Sequence, residues 1–284
     1  MRKDVGTFLE YLADSKGCSQ NTLAAYSNDL NQLMTFIETN KGEGAIDSND
    51  ELMKGYLFNL RDRRYSSATV ARKIASAKSF FKFMVDVGKS KNNPTRGLLS
   101  PRVKRRSPSV LSPSEFRRLL AESAKLSTPE AKRDKVMLEL LYATGLRVSE
   151  LISLDTKDIN SEQRYLYCSH GNSKRRIPFD SYIAKLLRDF INGARFELLY
   201  DEGEKALFLN RLGKRLTRQG FWEIVKNYAS KAGLGGKVTP RILRHSFAAY
   251  KLQTGAELRD VQQLLGHVYI SSTKVYEQIS PTLR

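Results

Sequence analysis

Three short segments in the second half of the chain stand out for side chains suited to work on a phosphate. They are Ala143-Thr-Gly-Leu-Arg147-Val-Ser-Glu150-Leu, then Thr239-Pro-Arg241-Ile-Leu-Arg244-His245-Ser-Phe, then Leu264-Leu-Gly-His267, with Tyr276 nine residues further on. A guanidinium group is planar, stays charged and offers paired donors that match phosphate oxygens. A tyrosine hydroxyl becomes a nucleophile once it is activated. Each residue also has an ordinary reading. Arg147 is a helix-surface partner for Glu150, three residues on. Arg244 is one more charge on a basic helix, Tyr276 an amphipathic residue at the edge of a terminal helix, and His267 a histidine satisfied near a helix end that Gly266 allows to turn tightly. His245 follows Arg244 directly, so on a helix it points about 100° away and reads as a structural hydrogen-bonding group.

Other chemistries lack their residues. There is no Walker loop, no G-x-G-x-x-G after a strand, no H-E-x-x-H and no G-x-S-x-G. The histidines number three, His170, His245 and His267, and the two cysteines, Cys18 and Cys168, lie far apart in no metal-type spacing. Neither a metal centre nor a disulfide framework is expected, no cofactor is implied, and the compartment reads as reducing. Asp4 and Glu10 interrupt the apolar residues between Met1 and Leu12, and no uncharged apolar run approaches a membrane span. A cytoplasmic protein without a membrane partner is expected.

The distribution of charge makes nucleic acid the leading candidate for a partner. The chain has 284 residues, a net charge of +18 and 40% hydrophobic residues, enough apolar material for one large core or two modest ones. The excess is local: residues 1–53 hold 4 basic and 9 acidic side chains, residues 54–108 hold 15 and 2, and residues 109–284 hold 29 and 19. A polyanion, above all DNA, is expected at the end of a first domain, at the segment after it and at parts of a second.

The elements that must position these residues follow from apolar spacing. Leu23, Tyr26, Leu30, Leu33 and Phe36, and later Val70, Ile74, Ala77, Phe80, Phe81 and Met84, recur at helical intervals; with stretches at 5–14 and 51–61 they predict a helical bundle over residues 1–92. Arg72, Lys73, Lys78 and Lys82 fall between the apolar positions of its last helix, a solvated face or a phosphate-facing one. Asn93-Pro94 breaks the pattern, and residues 93–109 read as a basic interdomain linker whose Arg102, Lys104, Arg105 and Arg106 suit a DNA backbone. From residue 110 to 284 a second, mostly helical domain is expected. Ser112-Pro113-Ser114-Glu115 is a capping-box helix start, and helical patterns return at 129–144, 146–154, 181–199, 217–232, 240–254, 257–266 and 271–279. Residues 165–179 alternate β-prone residues around a turn and predict a β-hairpin. The fold class is therefore mainly α with a small antiparallel sheet.

Taken in order, the three segments resemble the tyrosine recombinases, closest to the Xer group of site-specific recombinases. The resemblance runs from about Phe8 to Ser280 and includes Asn21-Thr22-Leu23-x-x-Tyr26-x-x-Asp29-Leu30, the basic linker and the hairpin. It implies that Tyr276 attacks a DNA phosphodiester, leaving a 3′-phosphotyrosyl link and a free 5′-hydroxyl, and that a partner strand reverses the step without ATP or a metal. Arg147 and Arg244 would meet the charge on the nonbridging oxygens, His267 would donate to the phosphate, and Glu150 would orient Arg147.

Two positions depart from the family pattern. Arg241 stands where H-x-x-R has a histidine, and a guanidinium cannot act as the base for Tyr276, although it can stabilise charge. In the hairpin, alignment on Gly171-Asn172 puts His170 where the family has a lysine that protonates the departing 5′-oxygen; Lys174, in the same turn, is the favoured acid and His170 the alternative. Arg175 reads as a backbone grip. The resemblance further implies two recombination sites held by four subunits and resolution of chromosome or plasmid dimers, leaving open a second recombinase or a DNA motor. The alternative function is a DNA-binding protein of the same fold that does not cut.

Overall fold

Apolar spacing becomes helix almost everywhere that it predicts one. The computed structural model describes residues 1–41, 50–102, 108–170 and 173–279, the side chains of Lys41, His170 and Ser173 excepted. Contacts divide the chain into two units, Met1–Arg105 and Arg106–Arg284.

The first unit holds α1 (Arg2–Asp14), α2 (Gln20–Lys41), α3 (Asp50–Asp62) and α4 (Ser67–Asp86). Ser66 caps α4 by accepting from the Thr69 backbone N–H, so the helix starts where its apolar period does. Phe8, Leu30, Leu33, Met53, Tyr56, Leu60, Ile74, Phe80 and Phe81 close over one core. Asp29 of α2 is buried there and bonds to Arg72 and Lys73 of α4. The beginning of the expected linker is folded onto this unit: Thr95 N–H and Oγ1 both donate to Asn93 Oδ1, at 2.9 and 2.7 Å, and Leu98 joins the core.

The second unit opens with α5 (Pro113–Ser123), whose capping box is complete: Ser112 Oγ accepts from Glu115 N–H, and Glu115 Oε2 accepts from Ser112 N–H at 2.9 Å. Then come α6 (Pro129–Thr144), the short α7 (Val148–Ser153), a 3₁₀ turn at Thr156–Asp158, and strands β1 (Ile159–Asn160), β2 (Tyr165–His170) and β3 (Ser173–Pro178). The hairpin is present as β2 and β3, and β1 adds a third antiparallel strand that its two-residue length hid from pattern reading. α8 (Ser181–Asn192) and α9 (Ala194–Glu197) replace one expected helix, because Gly193 takes a ψ of −98° that ends the first. α10 (Arg218–Lys231), α11 (Pro240–Gln253), α12 (Leu258–Leu265) and α13 (Ser271–Lys274) complete the unit. The expected helix over 271–279 stops early: after Lys274 the backbone bonds run three residues back, from Tyr276 to Thr273 and from Glu277 to Lys274, which tightens the chain out of α-geometry.

The core of the second unit runs from Leu111 to Leu243 and includes Leu166, Cys168 and Ile177 from one face of the sheet. No helix of the described residues is long and apolar enough to cross a membrane.

Candidate active site

Two tight helix ends place the arginines. α6 ends at Gly145 and α12 at Gly266, both left-handed at φ 61°. A side chain at either position would be strained and would collide, a Cβ at Gly145 with Phe247 at 2.3 Å and one at Gly266 with Arg175 Nη1 at 2.7 Å. The bare turns present their carbonyls to the two guanidinium groups from distant segments. Arg147 Nη2 donates to Gly266 O at 2.8 Å, and Arg244 Nη1 donates to Gly145 O at 2.6 Å while its Nη2 donates to Leu265 O at 2.6 Å. The G-L-R and L-L-G-H segments thus hold each other.

Glu150 ties the cluster together. It is buried on α7, accepts from the Arg147 backbone N–H at 2.7 Å, and takes Arg147 Nη1 at 2.8 Å. The i, i+3 pair read from the sequence is therefore real, and it also caps α7. Arg175 of β3 adds a fork, Nη1 and Nη2 each 2.8 Å from a Glu150 oxygen, and Arg244 Nη1 lies 3.9 Å from Glu150 Oε2. Burial alone would raise the Glu150 carboxyl, but the bonds from Arg175 and Arg147 hold it down at about 2. Burial and the neighbouring Arg147 lower Arg244 to about 10, with Glu150 offsetting part of the effect. Three cations share one carboxylate here, an excess of positive charge suited to an anion.

The remaining groups line the same region. His267 follows Gly266 and its Nδ1 is 2.9 Å from Thr273 Oγ1; burial, then Arg244 and Arg147, lower it to about 4. Tyr276 is buried against Phe247, Val261 and Leu265. Burial raises its hydroxyl above the ordinary value, and Arg244 and Arg241 pull the other way. Its bonding partner is His245, whose Nδ1 lies 2.6 Å from the hydroxyl. The structural hydrogen-bonding role read for His245 is met here, with a partner that the sequence did not name, and the i, i+4 spacing from Arg241 puts both on one face of α11.

Several expected residues lie elsewhere. Lys174 is exposed, its Nζ 4.3 Å from the Tyr167 ring centroid. Strand alternation explains this: Cys168 pairs with Arg175 on the buried face, leaving Lys174 and Arg176 over Tyr167 and Tyr165 on the other. The structure therefore does not gather Lys174 with the arginines, and the side chain of His170 lies outside the described residues. Arg175 is corrected from backbone grip to partner of Glu150. Lys73 is corrected too: it is buried, 2.9 Å from Asp29 Oδ1 and 2.5 Å from Gln32 Oε1, so it is spent inside the first unit. Arg72 bonds to Asp29 with its outer part exposed, Lys78 is half-buried and Arg102 is exposed. Lys104, Arg105 and Arg106 lie outside the described residues.

Comparison with known proteins shows what the chain is similar to. Residues 109–282 match the model of the phage integrase family, and residues 5–88 that of the phage integrase N-terminal SAM-like domain. The chain is 45% identical over 284 residues to the tyrosine recombinase XerC of Roseiflexus sp. (strain RS-1), covering 99% of this chain and 90% of that one. It is 40% identical to the tyrosine recombinase XerD of Oceanobacillus iheyensis, covering 96% and 92%. Among solved structures, XerH site-specific recombinase bound to a palindromic difH substrate in a post-cleavage complex shares the fold, with a TM-score of 0.79, 19% identity and coverage of 98% and 92%.

Proposed function

The chain belongs to the phage integrase family, and from that membership we propose a site-specific DNA recombinase of the Xer type that cleaves and rejoins strands through a 3′-phosphotyrosyl intermediate. One observation carries the reading. Arg147 and Arg244 are fixed by the carbonyls of two left-handed glycines, beside a buried carboxylate that they outnumber.

In this reading the Tyr276 oxygen attacks the phosphorus of a scissile phosphodiester, its proton passing to a phosphate oxygen or to water, and the 5′-oxygen leaves. Charge gathers on the nonbridging oxygens in the pentacovalent transition state. Arg147 and Arg244 meet it without reorganising, because backbone carbonyls and Glu150 already hold them. His267 is neutral at pH 7 and adds a neutral donor. The hairpin supplies the acid for the leaving oxygen; Lys174 and His170 remain its candidates, and Lys174 must leave the Tyr167 ring to act. Because one phosphodiester replaces another, the reverse step needs only the hydroxyl of a partner strand.

Residues 1–92 form the core-DNA-binding domain and residues 110–284 the catalytic one in this scheme, with two sites held by four subunits in the cytoplasm. Arg72, Lys78, Arg102, Lys104, Arg105 and Arg106 are the proposed phosphate contacts. Resolution of chromosome or plasmid dimers is the biological role that fits.

A nicked duplex that traps the cleaved state tests the reading. The wild-type chain should give an SDS-resistant protein–DNA adduct that Tyr276→Phe abolishes. Salt-sensitive binding with no adduct at any salt or pH would identify a DNA-binding protein that does not cut.

A further inference from the structure

The bond between His245 and Tyr276 has a direction, and a residue one helical turn away sets it. We propose that Arg241 positions the Tyr276 hydroxyl through His245, by pinning the imidazole in its Nδ1–H form so that it donates to the phenolic oxygen. This rests on the reading of Tyr276 as nucleophile.

The reasoning is one of proton count. Arg241 Nε–H donates to His245 Nε2 at 3.2 Å, and a guanidinium N–H has no acceptor role, so Nε2 must present its lone pair. A neutral imidazole carries one proton, which then sits on Nδ1, 2.6 Å from the Tyr276 oxygen. The ring is neutral at pH 7. The charged groups that face it are Arg241 and Arg244 from α11, and burial together with these two cations lowers it to about 4; Tyr276 meets it from the C-terminal segment, and His267 beyond α12 is near enough to be coupled to it.

Three consequences follow for the nucleophile. His245 cannot take the tyrosine's proton at Nδ1 while Arg241 holds Nε2, so it is not the base in this arrangement. The phenolic oxygen accepts a hydrogen bond, which leaves its own O–H directed to some other acceptor. As that proton departs, the Nδ1–H bond strengthens onto the phenolate and holds the oxygen in place. Arg241 thus contributes through an intermediary, although it stands where a direct proton acceptor was expected.

The chain has only three histidines, so 15N-histidine labelling of the full-length protein resolves each ring. At pH 7, without DNA, long-range 1H–15N correlation should show His245 protonated on Nδ1 and bare on Nε2. Arg241→Leu should move the population toward the Nε2–H form. An Nε2–H ring in the wild type, or an unchanged ring in Arg241→Leu, would overturn the proposal. On nicked DNA, Arg241→Leu should form adduct about tenfold more slowly, the loss of one oriented hydrogen bond. His245→Asn, whose amide puts an N–H near the place of Nδ1, should retain more adduct formation than His245→Ala; equal loss in the two would also overturn it. If the wild type forms no adduct, the recombinase reading fails on its own, and the labelled spectra still decide the tautomer.

Discussion

Asp29 in the first unit and Glu150 in the second are both carboxylates only 2% exposed, and each holds more than one basic side chain. Asp29 bonds Arg72 and Lys73, and Lys73 is finished by Gln32, so the group fastens α2 to α4. Glu150 takes Arg147 and Arg175 directly, with Arg244 3.9 Å away, and the guanidinium groups reach on to backbone carbonyls of Leu264, Leu265, Gly145 and Gly266. Cations outnumber the acid in both, and what separates the two is what lies beside the cations. Around Asp29 the ammonium is buried and used up. Around Glu150 the arginines outnumber the acid, their planes are set by backbone, and a hydroxyl and two neutral imidazoles lie beside them. A buried carboxylate with cations is therefore a fastening by default, and excess oriented charge next to a nucleophile makes it a candidate site.

The largest effect should come from removing an arginine of the second cluster. Arg244→Ala is expected to slow adduct formation on nicked DNA by about a thousandfold while DNA affinity changes far less, since the group acts on charge that appears only in the transition state. Lys73→Ala should do the reverse, lowering the stability of the first unit and leaving the cleavage rate of the bound complex near wild type. Comparable cleavage losses in both variants would erase the distinction between the clusters.

Removing either carboxylate should cost about 3 kcal/mol of stability, because each deletion strands buried cations. The two losses separate by place. Trp222 is the only tryptophan and lies on α10, so its fluorescence follows the second unit alone, and Glu150→Ala should shift that transition where Asp29→Ala should not.

The last expected effect is acid sensitivity of the second unit, which contains all three histidines. His245 and His267 titrate near 4 when folded against an ordinary 6.5, so the unfolded chain binds protons that the folded chain refuses. Stability is fully present above pH 6.5 and declines as pH falls toward 4; Glu150, held at about 2 against 4.5, continues the decline below that. The Trp222 transition measured from pH 7.5 to 4 should weaken in this order, and less in His245→Asn. A flat profile would mean that these rings are not buried as neutral groups.

Much of the molecule could be read before its structure. Apolar spacing located the helices, the Ser112 box located the start of α5, and Gly266 marked a real helix end. Three features were not legible. Lys73 lies on α4 among other basic residues, and nothing local says that Asp29 waits behind it. The face of Arg175 was available from its alternation with Ile177, but its partner Glu150 comes from another segment. Tyr276 reads as part of a last helix, yet bonds three residues back draw it out of that geometry.

By itself the sequence determined the elements, the local excess of charge, the order of the three motif segments and the family, because these depend on residue type and on neighbours a few positions away. Only the tertiary structure decided which basic side chains turn inward, which carbonyl each guanidinium takes, and that His245 meets the tyrosine. Those choices are made between groups that different segments bring together, such as Arg147 and Gly266, 119 residues apart. Burial keeps the two rings neutral and the arginine bonds keep the Glu150 carboxyl charged, and no spacing along the chain encodes either.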